Sequence, residues 1–127
     1  MEEIKMAITY KELYEKAEKL NAKCVNGFEA DVGELRWKKN AFSKLIPLDE
    51  SNKRLKASLF FNNNNTPVIC ISEETVNGNC YSYSPLDSFY ASLDVPAKRK
   101  TANVLIGYMD RFTDDYCKEL YQSKKRV

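Results

Sequence analysis

The stretch VICISEETVNGNCYSYS, residues 68–84, decides the fold. It opens on Val68, Ile69, Cys70 and Ile71, an apolar run of β-favouring residues, and closes on Cys80 to Ser84, where tyrosine alternates with smaller residues. Between them stands Asn77-Gly78, a pair suited to the left-handed conformations of a type I′ hairpin turn. Two antiparallel strands therefore meet here. Upstream, Leu55 to Phe61 reads as a further strand, and Asn62 to Asn65 followed by Thr66-Pro67 carries the turn chemistry that joins it to Val68. Residues 40 to 52 read as a short element around Ala41 to Ile46, ended by Pro47 and a polar loop.

Helical patterns lie on both sides of these strands. Thr9 followed by Glu12 is a capping box in front of a stripe of Tyr10, Leu13, Ala17, Leu20 and Cys24, with Lys11, Glu15, Glu18 and Lys19 on the opposite face. This predicts a first helix ended by Asn26 and Gly27. Between Phe28 and Lys39, alternation changes phase across Gly33, which predicts a short hairpin; Phe28, Val32 and Leu35 also fit one face of a helix, and that alternative stays open. Ser84-Pro85 followed by Asp87 predicts a short helix with serine at its cap. Ala102, Leu105, Met109, Phe112, Tyr116 and Leu120 recur every three or four residues, and Thr113-Asp114-Asp115 inside that run predicts two helices broken at Thr113. The expectation is a single α+β domain over 1–127. Its antiparallel sheet has about four to five short strands, flanked by an N-terminal helix and two to three C-terminal helices.

Length and composition agree with a chain that folds unaided. It has 127 residues, 43% of them apolar and 12% aromatic, with a formal net charge of +2. The N-terminus, Met1 to Ile8, lacks a signal-peptide apolar run, and no stretch approaches 18 consecutive apolar residues. Cys24, Cys70, Cys80 and Cys117 are scattered without a CxxC pair and read as reduced packing residues. Lysines outnumber arginines 15 to 5 beside 11 asparagines, the usage of AT-rich coding DNA. A cytoplasmic protein of a low-GC bacterium, or of a phage-infected host cell, is expected.

The strongest statements concern missing chemistry. The chain contains no histidine, which removes Ser-His-Asp and Cys-His catalysis and histidine-ligated zinc. Its four glycines, Gly27, Gly33, Gly78 and Gly107, are never closer than six residues, so no Gly-rich phosphate loop can be written. Between Ala57 and Ala97 there is no lysine or arginine to stabilise an oxyanion or a transferring phosphate, which also disfavours a nuclease. Asp110, Asp114 and Asp115 are hard oxygen donors near one another, but carboxylates in the first turn of a helix are the ordinary complement to its dipole. Glu73 and Glu74, adjacent in sequence, point to opposite faces if extended and read as solvated loop charges. Neither Cys70 nor Cys80 has a neighbouring base to activate it. No catalytic residue, metal or cofactor is expected.

Two binding patterns remain. Cations gather in Arg36, Lys38 and Lys39 around Trp37; in Lys53, Arg54 and Lys56; in Lys98, Arg99 and Lys100; and in Lys124, Lys125 and Arg126. An aromatic ring among cations can grip single-stranded nucleic acid, although 18 acidic residues nearly balance the 20 basic ones. The second pattern is Tyr81, Tyr83, Phe89 and Tyr90, a tyrosine-rich, lysine-free stretch of the kind found in protein interfaces. The resulting expectation is a small non-enzymatic accessory or inhibitor protein that binds a macromolecular partner. By analogy of size and composition, it would suit an anti-defence protein of a phage or mobile element, of the anti-CRISPR kind. A protein partner ranks first, a nucleic-acid-binding module second and an enzyme of unfamiliar type third. No membrane association is expected, and the oligomeric state is left open.

Overall fold

Along residues 53–61, fully buried Leu55, Ala57 and Leu59 alternate with half-buried neighbours, the signature of a strand with one face covered. A computed structural model describes the backbone of residues 9–37, 39–50, 52–77 and 80–125, and their side chains except those of 76–87 and 125. Five strands form one antiparallel sheet in sequence order: β1 (Glu29–Ala30), β2 (Ala41–Pro47), β3 (Lys53–Phe61), β4 (Pro67–Asn77) and β5 (Cys80–Ser92). The helices are α1 (Tyr10–Asn21), α2 (Val32–Arg36), α3 (Ala102–Ile106) and α4 (Asp114–Lys125), with a 3₁₀ turn over Met109–Arg111. The chain is α+β.

Register sorts every strand residue to one of two faces. Phe42, Leu59, Ile69 and Ala91 stand in one cross-strand row, and Lys44, Ala57, Ile71 and Phe89 in the next. These rows face the helices. Leu13 and Ala17 of α1, Leu35 of α2, Leu105 of α3 and Cys117 and Tyr121 of α4 join them in one core cluster with Met109 and Phe112. The other face carries the row Ser43, Ser58, Cys70 and Tyr90. Small hydroxyls pair there: Ser72 Oγ lies 3.0 Å from Ser88 Oγ, and both side chains are buried.

Several local expectations hold. Thr9 Oγ1 accepts the amide of Glu12 at 3.2 Å, so the first helix is capped where predicted. Asn62 Oδ1 accepts from Asn64 and Thr66, and Asn65 has φ 63°, which closes the β3–β4 turn with the chemistry read from the asparagine run. The C-terminal region breaks at Thr113, whose Oγ1 accepts the amide of Tyr116 at 3.1 Å. Asn77 pairs with Cys80, so the β4–β5 connection crosses residues 78 and 79, which lie outside the described residues.

The structure corrects five readings. Residues 28–39 are not a hairpin: the two-residue β1 pairs with Phe42 and Ser43, and α2 follows at once. The cause is Asp31, whose carboxylate accepts the amide of Glu34 at 3.3 Å and starts a helix where alternation suggested a second strand. Ser84-Pro85 opens no helix, because β5 runs through it. Ser72 pairs with Ser88 and Glu74 with Tyr83, so residues 84–87 bulge opposite Glu73 alone, and the proline falls where the edge strand has no partner residue in β4. Helix α1 ends at Asn21 rather than at Asn26-Gly27, which instead form a left-handed turn with φ 58° and 83°. Tyr10 leaves the core stripe and is 65% exposed. Glu73 and Glu74 are not loop charges but strand residues paired across β3, Glu74 Oε1 with Arg54 Nε at 2.7 Å and Glu73 with Lys53 at 3.7 Å.

Of the three side-chain caps among the described residues, those of Thr9 and Asp31 each carry a measurable share of stability. Asp31→Ala should cost about 1 kcal/mol, as should Thr9→Ala. Urea unfolding of both variants checks this, and an unaffected Asp31→Ala would remove the cap as the reason α2 forms.

Candidate functional site

A cleft of ≈ 410 Å³ is lined by Asn26, Gly27, Lys44, Leu45, Thr113, Asp114 and Asp115. At its base lies Lys44, on the inward face of β2 between Phe42 and Ile46, with its side chain only 3% exposed. Its ammonium donates to the carbonyl of Asn26 at 2.8 Å, the carbonyl of Phe112 at 2.6 Å and Asp114 Oδ1 at 2.9 Å, and stands 4.7 Å from the centre of the Phe28 ring. A lysine has three donors, and all three are engaged. Lys44 is thus a structural cation with none left for a substrate. Asn26 extends the network, its Nδ2 donating to the carbonyls of Met109 at 2.8 Å and Asp110 at 3.2 Å.

The described thiols and the Asp94–Tyr108 pair are also taken up in contacts within the chain. Burial, with Asp114 adding to it and Lys44 opposing, pushes the Cys117 thiol up to about 11. Burial and the charge of Glu29 raise Cys24, whose thiol donates to the carbonyl of Leu20 at 3.3 Å. Cys70 Sγ sits 3.5 Å from Ser72 Oγ in a row of hydroxyls without a base. Asp94 is held below the usual carboxylate range chiefly by the Tyr108 hydroxyl, which donates to it at 2.7 Å, and Tyr108 is raised in turn by that bond. A raised phenol is a poorer base precursor. The pair pins the segment after β5 to the residue that leads into the 3₁₀ turn. Asp114 is turned toward Lys44, and among the described residues no group of three or more His, Cys, Asp or Glu could hold a metal ion.

What the surface does present is a face of rings and cations at the N-terminal end of α1. Tyr10 is 65% exposed and Tyr14, one turn on, 62%. Trp37, which follows α2, is 73% exposed. The guanidinium of Arg36 lies 6.0 Å from the centre of the Tyr10 ring and so joins the two helices. Asn40 Nδ2 donates to the carbonyl of Lys100 at 2.8 Å, which brings the run Lys98 to Lys100 beside the chain just after Trp37. Lys98, Arg99 and Lys100 are all exposed. Lys39 is exposed too, 3.9 Å from Glu34, while Lys38 lies outside the described residues.

The chain therefore brings together the first and third basic clusters, not all of them. Ala41 pairs with Phe60 at one end of the sheet and Pro47 with Arg54 at the other, so Lys53 and Arg54 sit at the end remote from Trp37. Both are engaged with Glu73 and Glu74. No protein family, curated protein or solved structure matches this chain. These residues are what any functional reading has to rest on.

The tyrosine stretch divides as well. Phe89 packs toward the core with the Lys124 ammonium 5.9 Å from its ring centre, whereas Tyr90, next along β5, points to the outward face and is 59% exposed. Tyr81 and Tyr83 pair with Val76 and Glu74, and their side chains lie outside the described residues.

Sequence reasoning missed Lys44, Tyr10 and Tyr14. A signal for Lys44 was present: it shares strand parity with Phe42 and Ile46 and so has to face inward with them. For the tyrosines, helical spacing alone is a poor guide to burial, since only Leu13 and Ala17 of that helix are buried.

Two measurements test these roles. Lys44→Ala should cost on the order of 3–5 kcal/mol by urea unfolding, since it leaves two carbonyls and a carboxylate unmatched, but Asp114→Ala, at a half-exposed position, about 1 kcal/mol or less. Equal small losses would show the network to be dispensable. The second concerns Asp94, whose stabilising bond is present above its unfolded titration point and lost as pH falls through its depressed folded value. Tyr108→Phe should move the Asp94 midpoint upward in an NMR titration, and an unmoved midpoint would remove Tyr108 as the cause.

Proposed function

We propose that the protein is a non-enzymatic binding protein that acts by occupying a macromolecular partner, as a small accessory or inhibitor protein does. The observation that carries this reading is the joint exposure of Tyr10, Tyr14 and Trp37 beside Arg36, on a chain whose buried lysine is saturated and whose Cys24 and Cys117 thiols are held protonated. Trp, Tyr and Arg are the residues that dominate binding energy at macromolecular surfaces. Single exposed rings are unremarkable, but three in one neighbourhood, ringed by charge, form a docking surface. The free thiols of Cys24, Cys70 and Cys117 suit a reducing compartment, in keeping with a bacterial or phage-infected cytoplasm and an anti-defence role there.

A second surface favours a protein partner. Tyr90 stands exposed on the outward sheet face, in a strand with no lysine or arginine, which is the composition of a protein interface. Tyr81 and Tyr83 share that strand, so any partner docked along β5 would meet all three positions.

Alanine substitution separates these surfaces. Trp37→Ala and Tyr14→Ala should leave thermal stability within about 0.5 kcal/mol of the parent, as exposed positions do. The same variants should lose a partner that the parent retains from host lysate, while Tyr90→Ala keeps it. Retention by both Trp37→Ala and Tyr14→Ala would overturn the assignment of this face and move it to β5. Turnover of a substrate by the purified chain would overturn the non-enzymatic reading itself.

A further inference from the structure

We infer that the face built by Tyr10, Tyr14, Trp37, Arg36 and the Lys98–Lys100 run takes single-stranded nucleic acid, its rings stacking on bases and its cations following the phosphates. The inference rests on the binding reading above and names the chemistry of the partner for that one face. Three features carry it. The rings are more than three-fifths exposed at 65%, 62% and 73%, so each presents surface to a planar ligand instead of being committed to the core, with Arg36 over one side of Tyr10. Cations lie close to them: the Arg36 guanidinium is 6.0 Å from the centre of the Tyr10 ring, and Asn40, three residues after Trp37, holds the backbone of Lys100.

The third feature is how charge is partitioned. At the far end of the sheet Lys53 and Arg54 are matched by Glu73, Glu74 and Glu50, at 3.7, 2.7 and 3.6 Å, so these two present little uncompensated charge. Near Trp37 the acidic neighbours among the described residues are Glu34, which faces Lys39, and Glu15, which faces Lys11 on α1. Glu12 belongs to the same first turns of α1, where its amide is taken by Thr9. With Asp31 and Glu18 counted as well, the five carboxylates around the rings face six cations, Lys11, Arg36, Lys39, Lys98, Arg99 and Lys100, and the 98–100 run has no ion pair among those described. Stacking platforms flanked by a cationic track grip single strands with little regard to sequence; a duplex, whose bases are already stacked, offers the rings nothing. A predominantly acidic protein surface could satisfy the cations but would leave three exposed rings without planar partners.

Trp37 is the single tryptophan of the chain, so the protein reports on its own site. Unlabelled thymidine and uridine homo-oligonucleotides of about fifteen residues, long enough for a small binding site, should quench its emission; a duplex of equal length should not. Fluorescein-labelled versions of the same oligonucleotides, read by anisotropy, should bind Trp37→Leu and Tyr14→Ala roughly tenfold or more weakly than the parent. Replacing Lys98, Arg99 and Lys100 together by glutamine should flatten the logarithmic salt dependence by about 0.7 for each phosphate that the protein no longer neutralises. Lys53→Gln with Arg54→Gln should change neither quenching nor slope. Circular dichroism on each variant confirms that the fold is kept. Absence of binding at low salt, equal binding of duplex without quenching, or equal sensitivity to the Lys53 and Arg54 changes would each overturn the inference. If no oligonucleotide binds and a purified protein is instead held through Trp37 and Tyr14, the nucleic-acid assignment falls and the binding reading stands.

Discussion

The ammonium of Lys44 is the point through which the separate layers of this small domain are tied. A charge removed from water needs partners on every side, and the chain supplies them from three directions: the turn after α1, the residue that ends the 3₁₀ turn, and the first residue of α4. Each of those backbone positions is thereby fixed relative to β2. Asn26, itself in the left-handed conformation, then uses its amide to hold the carbonyls of Met109 and Asp110, so the N-terminal and C-terminal helical segments meet through one side chain. A purely apolar junction at this place would tolerate sliding. A cation with three committed donors does not.

The parts of the fold that were legible in the sequence are those whose pattern is local. Leu55, Ala57 and Leu59 alternate over enough residues to declare a one-sided strand, and Thr113-Asp114-Asp115 declares a helix start wherever it stands. Where two local signals compete, the outcome is settled elsewhere in the chain. The Ser84-Pro85-x-Asp87 signature would begin a helix in isolation, but pairing with β4 on both sides of it holds the backbone extended and leaves the surplus residues as a bulge. Residues 28–39 show the reverse, since one side-chain cap on Asp31 outweighs an alternation too short to specify a strand.

The candidate face was only half legible, for a different reason. Its residue types were visible, with Trp37 standing among cations in the sequence itself. Which clusters meet was not visible, because the link is a hydrogen bond between residues 60 apart, from Asn40 to Lys100. The cluster at Lys53 and Arg54 looks equivalent in composition, yet antiparallel register sets it opposite two glutamates of β4 and at the far end of the sheet. Charge in a folded chain is a property of neighbours in space, and a near-neutral total is compatible with one end that is cationic and another that is internally matched.

Because β2 to β5 follow one another without crossovers, every pairing of the main sheet is complete within residues 41–92. The cover for its apolar face is not: Leu105, Met109, Phe112, Cys117 and Tyr121 all come later, as do two of the three partners of Lys44. During synthesis the sheet can thus assemble by short-range pairing while its inner side is covered only by α1 and α2 and its cation still lacks two ligands. The last quarter of the chain is what closes this half-covered ribbon into a core, and a nascent chain halted before α3 would hold the pairing information of this protein without the means to conceal all of it from water.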